Sequence, residues 1–171
     1  MLSSRTAALA GISALVLTLA GCCGYRLGTS LPPNISSVHV KPFGNRSGEP
    51  DLETAVTGAT VREFQRDGSL RMANADEADA IVEATVTGST LEPLRYARTR
   101  AAETTEFRLI LTADVVLKDR KTGKILSARP GLTGKTTFTP AGDLASAKRQ
   151  AIPNAARDLA HAVVGAVVET W

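Results

Sequence analysis

The chain has 171 residues, 43% of them hydrophobic, 22% charged and only 4% aromatic, with a formal net charge of +3. That length fits one domain after any leader is removed. So few aromatics exclude a base-stacking surface, and so small a charge excludes an electrostatic nucleic-acid binder; no nucleic-acid partner is expected.

The first 21 residues read as a leader. "MLSSR" supplies a short positive end, and Thr6 to Ala20 is an uncharged apolar run of fifteen residues. That is short of the roughly 20 needed to span a bilayer and fits the apolar region of an export signal. Its removal takes away Arg5 and no acid, so the mature chain carries one positive charge fewer. Leu19-Ala20-Gly21-Cys22 resembles the bacterial lipobox, in which small residues let an extended backbone enter the lipoprotein signal peptidase and the cysteine thiol carries a diacylglycerol. Cys22 has the better-matched residues before it; Cys23 has Cys22 itself in that place. Cys22 is therefore expected to be the lipidated first residue of the mature protein. A thioether at Cys22 leaves Cys23 no disulfide partner, because the chain has only these two cysteines. One thiol with two distant histidines, His39 and His161, is a poor zinc set, so neither metal nor other cofactor is expected beyond the acyl and diacylglycerol groups on Cys22. Several acyl chains give stable membrane anchoring where one would be reversible.

After an extended lead, residues 22–35, the alternation in "SSVHVKPF" predicts a strand ending at Pro42. Val38, Val40 and Pro42 fall on one side and His39, Lys41 and Phe43 on the other. A helix follows from about Pro50 to Asp67, with proline at its first position, acids near its start, Arg62 and Arg66 near its end and Gly68 beyond it. Leu52, Ala55, Val56, Ala59 and Phe64 form its apolar stripe.

"AIVEATVTGS" alternates as a half-buried strand with Ala80, Val82, Ala84 and Val86 inward. "LEPLRYARTRAAE" then reads as a connection carrying Arg95, Arg98 and Arg100. "EFRLILTADVVLKD" is the clearest strand: Phe107, Leu109, Leu111, Ala113, Val115 and Leu117 share a face. Its fourteen residues would extend roughly 45 Å. "DRKTGK" is a hairpin turn with Gly123 left-handed, and the return strand runs from Ile125 to Phe138, with a bulge or edge position expected at Pro130-Gly131. A last helix begins after an N-cap at Asp143. Its stripe is Leu144, Ala147, Ala151, Ala155, Leu159, Ala162, Val163 and Ala166, and Pro153 should kink or split it. The order β-α-β-β-β-α predicts a single α+β domain over residues 36–171, a two-layer sandwich of two helices on a four-stranded, mostly antiparallel sheet.

Catalytic motifs fail on inspection. "GLTGKTT" lacks the first glycine of a phosphate loop, its place being taken by Arg129, and lies in a strand instead of a strand-to-helix turn. Neither a nucleophile elbow nor a zinc-protease motif is present, and two unpartnered histidines offer no general base. The chain is not expected to be an enzyme.

"GCCGYRLG", "VHVKPFGNRSGEPDLETAVTGATVREFQRDG", the "ADA" before a strand and the long "EFRLILTADVVLKD-RKTGK" hairpin together resemble the LptE family of lipopolysaccharide-assembly lipoproteins of the outer membrane. The resemblance implies two helices on a four-stranded sheet and a non-enzymatic role. Its members plug the lumen of the LptD β-barrel, support its assembly and bind lipopolysaccharide on the way to the outer leaflet. Basic residues before the long strand and at the start of the last helix contact the glycolipid in such proteins; Arg100 and Lys148 occupy comparable places here, with Arg95, Arg98 and Arg149 near them. One departure is Cys23, which stands between the lipidated cysteine and Gly24-Tyr25. The alternative reading is an adaptor lipoprotein that activates a peptidoglycan synthase or belongs to a secretion channel, and the long hairpin followed by a single terminal helix weighs against it. A tethered hydrolase lacks any nucleophile–base pair.

Overall fold

A computed structural model describes residues 34–96 and 104–169. Among them are six strands and two helices: β1 Ser37–Val40, β2 Gly44–Asn45, α1 Leu52–Asp67, β3 Arg71–Met72, β4 Ala80–Tyr96, β5 Thr104–Asp119, β6 Ile125–Phe138 and α2 Leu144–Val168. All six strands join one sheet in the order β3-β1-β4-β5-β6, with β2 also on β4. The expected α+β class holds, but the four-stranded, mostly antiparallel sheet does not. β1 pairs parallel with β3 and with β4, and β2 pairs parallel with β4, so the sheet is mixed. The β-α-β order at its start allows this: parallel neighbours need a crossover connection, and α1 supplies one between β1 and β4.

β4 and β5 form the long antiparallel ladder, and β6 continues it as an edge. The alternation read from the sequence is met in the burial: Ala80, Val82, Ala84 and Val86 on β4, and Leu109, Leu111, Ala113, Val115 and Leu117 on β5, are buried. β4 runs on to Tyr96 through Pro93, where a connection was expected. Beyond Val86 β4 has β5 on one side only, so a proline there need not break a ladder. In β6, Pro130 and Gly131 together oppose the single residue Asp114. That is the expected bulge. Gly131 is left-handed (φ 68) and its N–H donates to Asp114 Oδ1 at 2.9 Å.

Other departures have local causes. β1 ends at Val40, two residues early, so the alternation lapses and Phe43 turns inward, 3% exposed, its N–H donating to Thr57 Oγ1 at 2.9 Å. α1 starts at Leu52 instead of Pro50 because Asp51 is left-handed (φ 62), which aspartate tolerates better than most residues. Gly68 ends it as expected, left-handed with its N–H on the Phe64 carbonyl. Pro153 does not split α2, which is assigned without a break over 25 residues. The buried face of α2 comprises Ala151, Ala155, Ala156, Leu159, Ala160, Val163, Val164 and Val167, while Leu144, Ala147, Ala162 and Ala166 of the expected stripe are not buried. The arc is wider and rotated because α2 packs on β6 and β5 on one side and on α1 on the other. Both helices cover one sheet face; the other carries half-exposed Glu83, Thr85, Thr112 and Lys118.

Candidate functional site at the hairpin end

The two helices are parallel. Glu49, just before α1, pairs with Lys148 early in α2, and Glu63 late in α1 meets His161 late in α2. Both N-termini therefore lie at one end of the molecule. It is the end to which the β4–β5 hairpin extends, because Phe138, the last residue of β6, is opposite Phe107, and Phe107 is opposite Pro93. The Phe107 and Phe138 rings stack there with centroids 6.0 Å apart. Arg108 and Glu92 form a looser pair at 3.9 Å across the same stretch of ladder.

Local sequence builds this end. Asn45 Nδ2 donates to the Glu49 carbonyl (2.8 Å) and to Glu53 Oε2 (2.7 Å), while its Oδ1 accepts from the N–H and hydroxyl of Ser47. "GNRSGE" is thus a side-chain-locked loop that aims the start of α1. At α2 the Asp143 carboxylate accepts from the N–H groups of Ala145 and Ser146. Ser146 and then Ala145 hold that carboxyl below the usual range, as a cap on the positive end of a helix should be.

Between the helix starts lies a cavity of about 420 Å³. Pro50, Ala55, Ala145, Ile152 and Pro153 supply apolar walls, Lys148 and Arg149 supply cations, and Glu49 and Asp51 supply carboxylates. An apolar cleft with basic groups beside two helix N-termini can accept the apolar part of an anionic amphiphile and pair its acidic head. Lys148 is already committed: its side chain and that of Glu49 are 22% and 23% exposed and bonded to each other. Arg149 is exposed, with one guanidinium nitrogen donating to Ser146 Oγ at 2.9 Å, and is the freer cation of the two. Arg95 is placed by its backbone on β4 opposite Glu106. Arg98 and Arg100, like Cys22 and Cys23, lie outside the described residues.

The histidines are not the unpartnered residues that the sequence suggested: each has a polar neighbour. His39 Nδ1 lies 3.1 Å from the Ala73 carbonyl, and His161 Nδ1 lies 3.1 Å from Glu63 Oε1 on the helix surface. Glu63 is a buried charge that sequence reading missed; it also accepts from Arg66 at 3.1 Å. A carboxylate next to the buried Phe64, with Arg66 three residues on, was the available signal. Among the described residues no group of three or more His, Cys, Asp or Glu could hold a metal. No helix among them is long and apolar enough to cross a membrane.

A family model, LptE, described as lipopolysaccharide-assembly, matches residues 35–166. The chain belongs to the LptE family. No curated protein sequence matches it at a significant level. A crystal structure from Xanthomonas campestris, of a family of unassigned function, is similar at 13% identity and a TM-score of 0.51, covering 82% of this chain and 90% of that one. Lipoprotein GNA1162 from Neisseria meningitidis (15% identity, TM-score 0.43, 70% and 99% covered) and a minor lipoprotein from Acinetobacter baumannii (16%, 0.44, 80% and 93%) are also similar to this chain. The matched residues include three of the motifs the resemblance was read from, while "GCCGYRLG" lies before them. The "ADA" motif is a clamp: Asp79 Oδ2 accepts from the N–H and hydroxyl of both Ser36 and Ser37, at 2.7–3.1 Å, with Ala78 and Ala80 buried on either side.

Proposed function

We propose that this LptE-family protein is a lipid-anchored component of the outer membrane that plugs an LptD-type β-barrel, supports its assembly and binds lipopolysaccharide during delivery to the surface. It acts without catalysis, by occupying the lumen and offering a polar, partly basic end to the glycolipid. The family match over residues 35–166 carries this reading. The geometry supports it: a compact sandwich with a polar open sheet face suits a polar barrel interior. The hairpin end joins two helix N-termini, an apolar cleft and Arg149, which suits acylated phosphosugars.

The anchor is Cys22, whose thiol receives a diacylglycerol before residues 1–21 are removed, and it holds the domain to the periplasm-facing leaflet. Arg100 and Lys148 are the proposed glycolipid contacts, with Arg149 joining them. Lys148 can serve only by sharing its ammonium with Glu49, so its contribution should be the smaller.

Affinity purification from the protein's own envelope tests the barrel. Recovery of a large β-barrel protein in stoichiometric amount is expected, and recovery of none would exclude the plug.

A further inference from the structure

The end of the molecule opposite the hairpin has a surface of its own. The described chain begins there, at Asn34, and Ile35 is buried against the core. Ser36 is bound to Asp79, and the backbone carbonyl of Asp79 accepts from the N–H of Arg120 at 2.9 Å. Arg120 Nε also donates to the Ala78 carbonyl at 2.6 Å. Two hydrogen-bonded steps, Ser36 to Asp79 and Asp79 to Arg120, thus join the point where the N-terminal lead enters the fold to the β5–β6 turn, Arg120 to Lys124.

That turn is rigid and basic. Asp119 Oδ1 accepts from the N–H (2.7 Å) and hydroxyl (2.9 Å) of Thr122, Gly123 is left-handed (φ 69), and Lys121 and Lys124 are exposed. Ile125 follows, and at 54% exposed it is the barer of two exposed large apolar side chains among the described residues. The nearby acids are partly withdrawn. Asp119 faces Thr122 and Asp79 faces the two serines, while Asp76 and Glu77 stand exposed on the loop before β4.

We propose that the β5–β6 turn is a membrane-docking tip, with Lys121 and Lys124 on anionic phospholipid headgroups and Ile125 at the headgroup–acyl boundary of the leaflet that holds Cys22. This rests on the proposed lipidation of Cys22. Eleven residues separate Cys22 from Asn34, and a chain of that length reaches at most roughly 40 Å. The anchor therefore keeps this end, more than any other, at high local concentration near the bilayer. Each lysine near an anionic surface favours docking by about fivefold, and an exposed isoleucine adds apolar burial. Docking here leaves the hairpin end, with its cleft and Arg149, uncovered.

The test uses the lipidated mature chain in phosphatidylethanolamine–phosphatidylglycerol vesicles with brominated acyl chains. Trp171→Phe removes the native indole, and Ile125→Trp or, at the opposite end, exposed Ala141→Trp introduces one. Strong quenching is expected for Ile125→Trp and little for Ala141→Trp. Adding Lys121→Gln and Lys124→Gln should lower the docking equilibrium constant by about twenty-fivefold and sharply reduce that quenching. Vesicle flotation of the same samples reads the anchor. A chain that floats but whose Ile125→Trp indole is quenched no more than that of Ala141→Trp overturns the docking tip and leaves the anchor standing. A chain that does not float overturns both.

Discussion

Gly134 of β6 lies directly beneath Leu159 of α2. A Cβ on Gly134 would stand 2.2 Å from the Leu159 backbone nitrogen, 2.4 Å from its Cβ and 2.5 Å from the Ala155 carbonyl oxygen. The helix backbone thus rests on the strand backbone, and Ala151, Ala155 and Ala156 keep the rest of that contact thin. Gly134 stands in the stretch that resembles a phosphate loop, yet it is held by packing. Gly134→Ala must push helix and sheet apart and should cost about 1–3 kcal/mol or more, which lowers the melting temperature by about 2–4 °C per kcal/mol. Thermal denaturation followed by circular dichroism checks this; an unchanged midpoint would show that α2 does not seat there.

Asp79 fastens β1 to the start of β4. Hydrogen bonds from the Ser37 side chain, then from Ser36, lower its pKa from 3.8 to about 2. A depressed carboxyl stabilises the fold above its unfolded value, and that contribution is lost as pH falls from about 3.8 through about 2. Asp79→Asn should therefore be less stable than the native chain at neutral pH, with the difference shrinking through that window. Urea midpoints measured from neutral pH downward give the comparison, and a constant difference would contradict the clamp.

The Glu49–Lys148 pair ties the two helix starts and is largely shielded from water. Lys148→Ala and Glu49→Ala should each cost about 1–2 kcal/mol, and the double variant little more than either. Exposed Arg149→Glu should change stability by less than about 0.5 kcal/mol while weakening glycolipid displacement. Denaturation and a displacement assay on the same variants separate holding the fold from holding the ligand.

Cys22→Ser should leave an unprocessed, unlipidated precursor, whereas Cys23→Ser should mature normally. Mass spectrometry of the membrane fraction reads both. Equal processing defects would mean that the neighbouring cysteines are not divided in role as Leu19-Ala20-Gly21 implies.

What was legible in the sequence follows from how much periodic signal each element carries. β5 displays six inward residues in alternation, and α1 has its stripe and Gly68, so both could be read directly. β2 and β3 are two residues each and have no period to show. The parallel pairing of β1 was allowed by the β-α-β order, although no single residue announces it. "LEPLRYARTRAAE" read as a connection, and only the tertiary arrangement, with β5 on one side alone, lets β4 continue through Pro93. The N-cap at Asp143 and the bulge at Pro130-Gly131 were legible because local chemistry decides them. At the hairpin end, Lys148 could be singled out as a cation but its bond to Glu49, 99 residues away in sequence, could not. The apolar cleft between the helix starts was equally invisible, since it exists only once α1 and α2 lie parallel.

Depletion of the protein in its own envelope, with lipopolysaccharide followed by surface labelling against total content, tests the central claim most directly. A role in lipopolysaccharide assembly predicts that newly made glycolipid accumulates short of the cell surface while total synthesis continues. Undiminished surface delivery after depletion would contradict it.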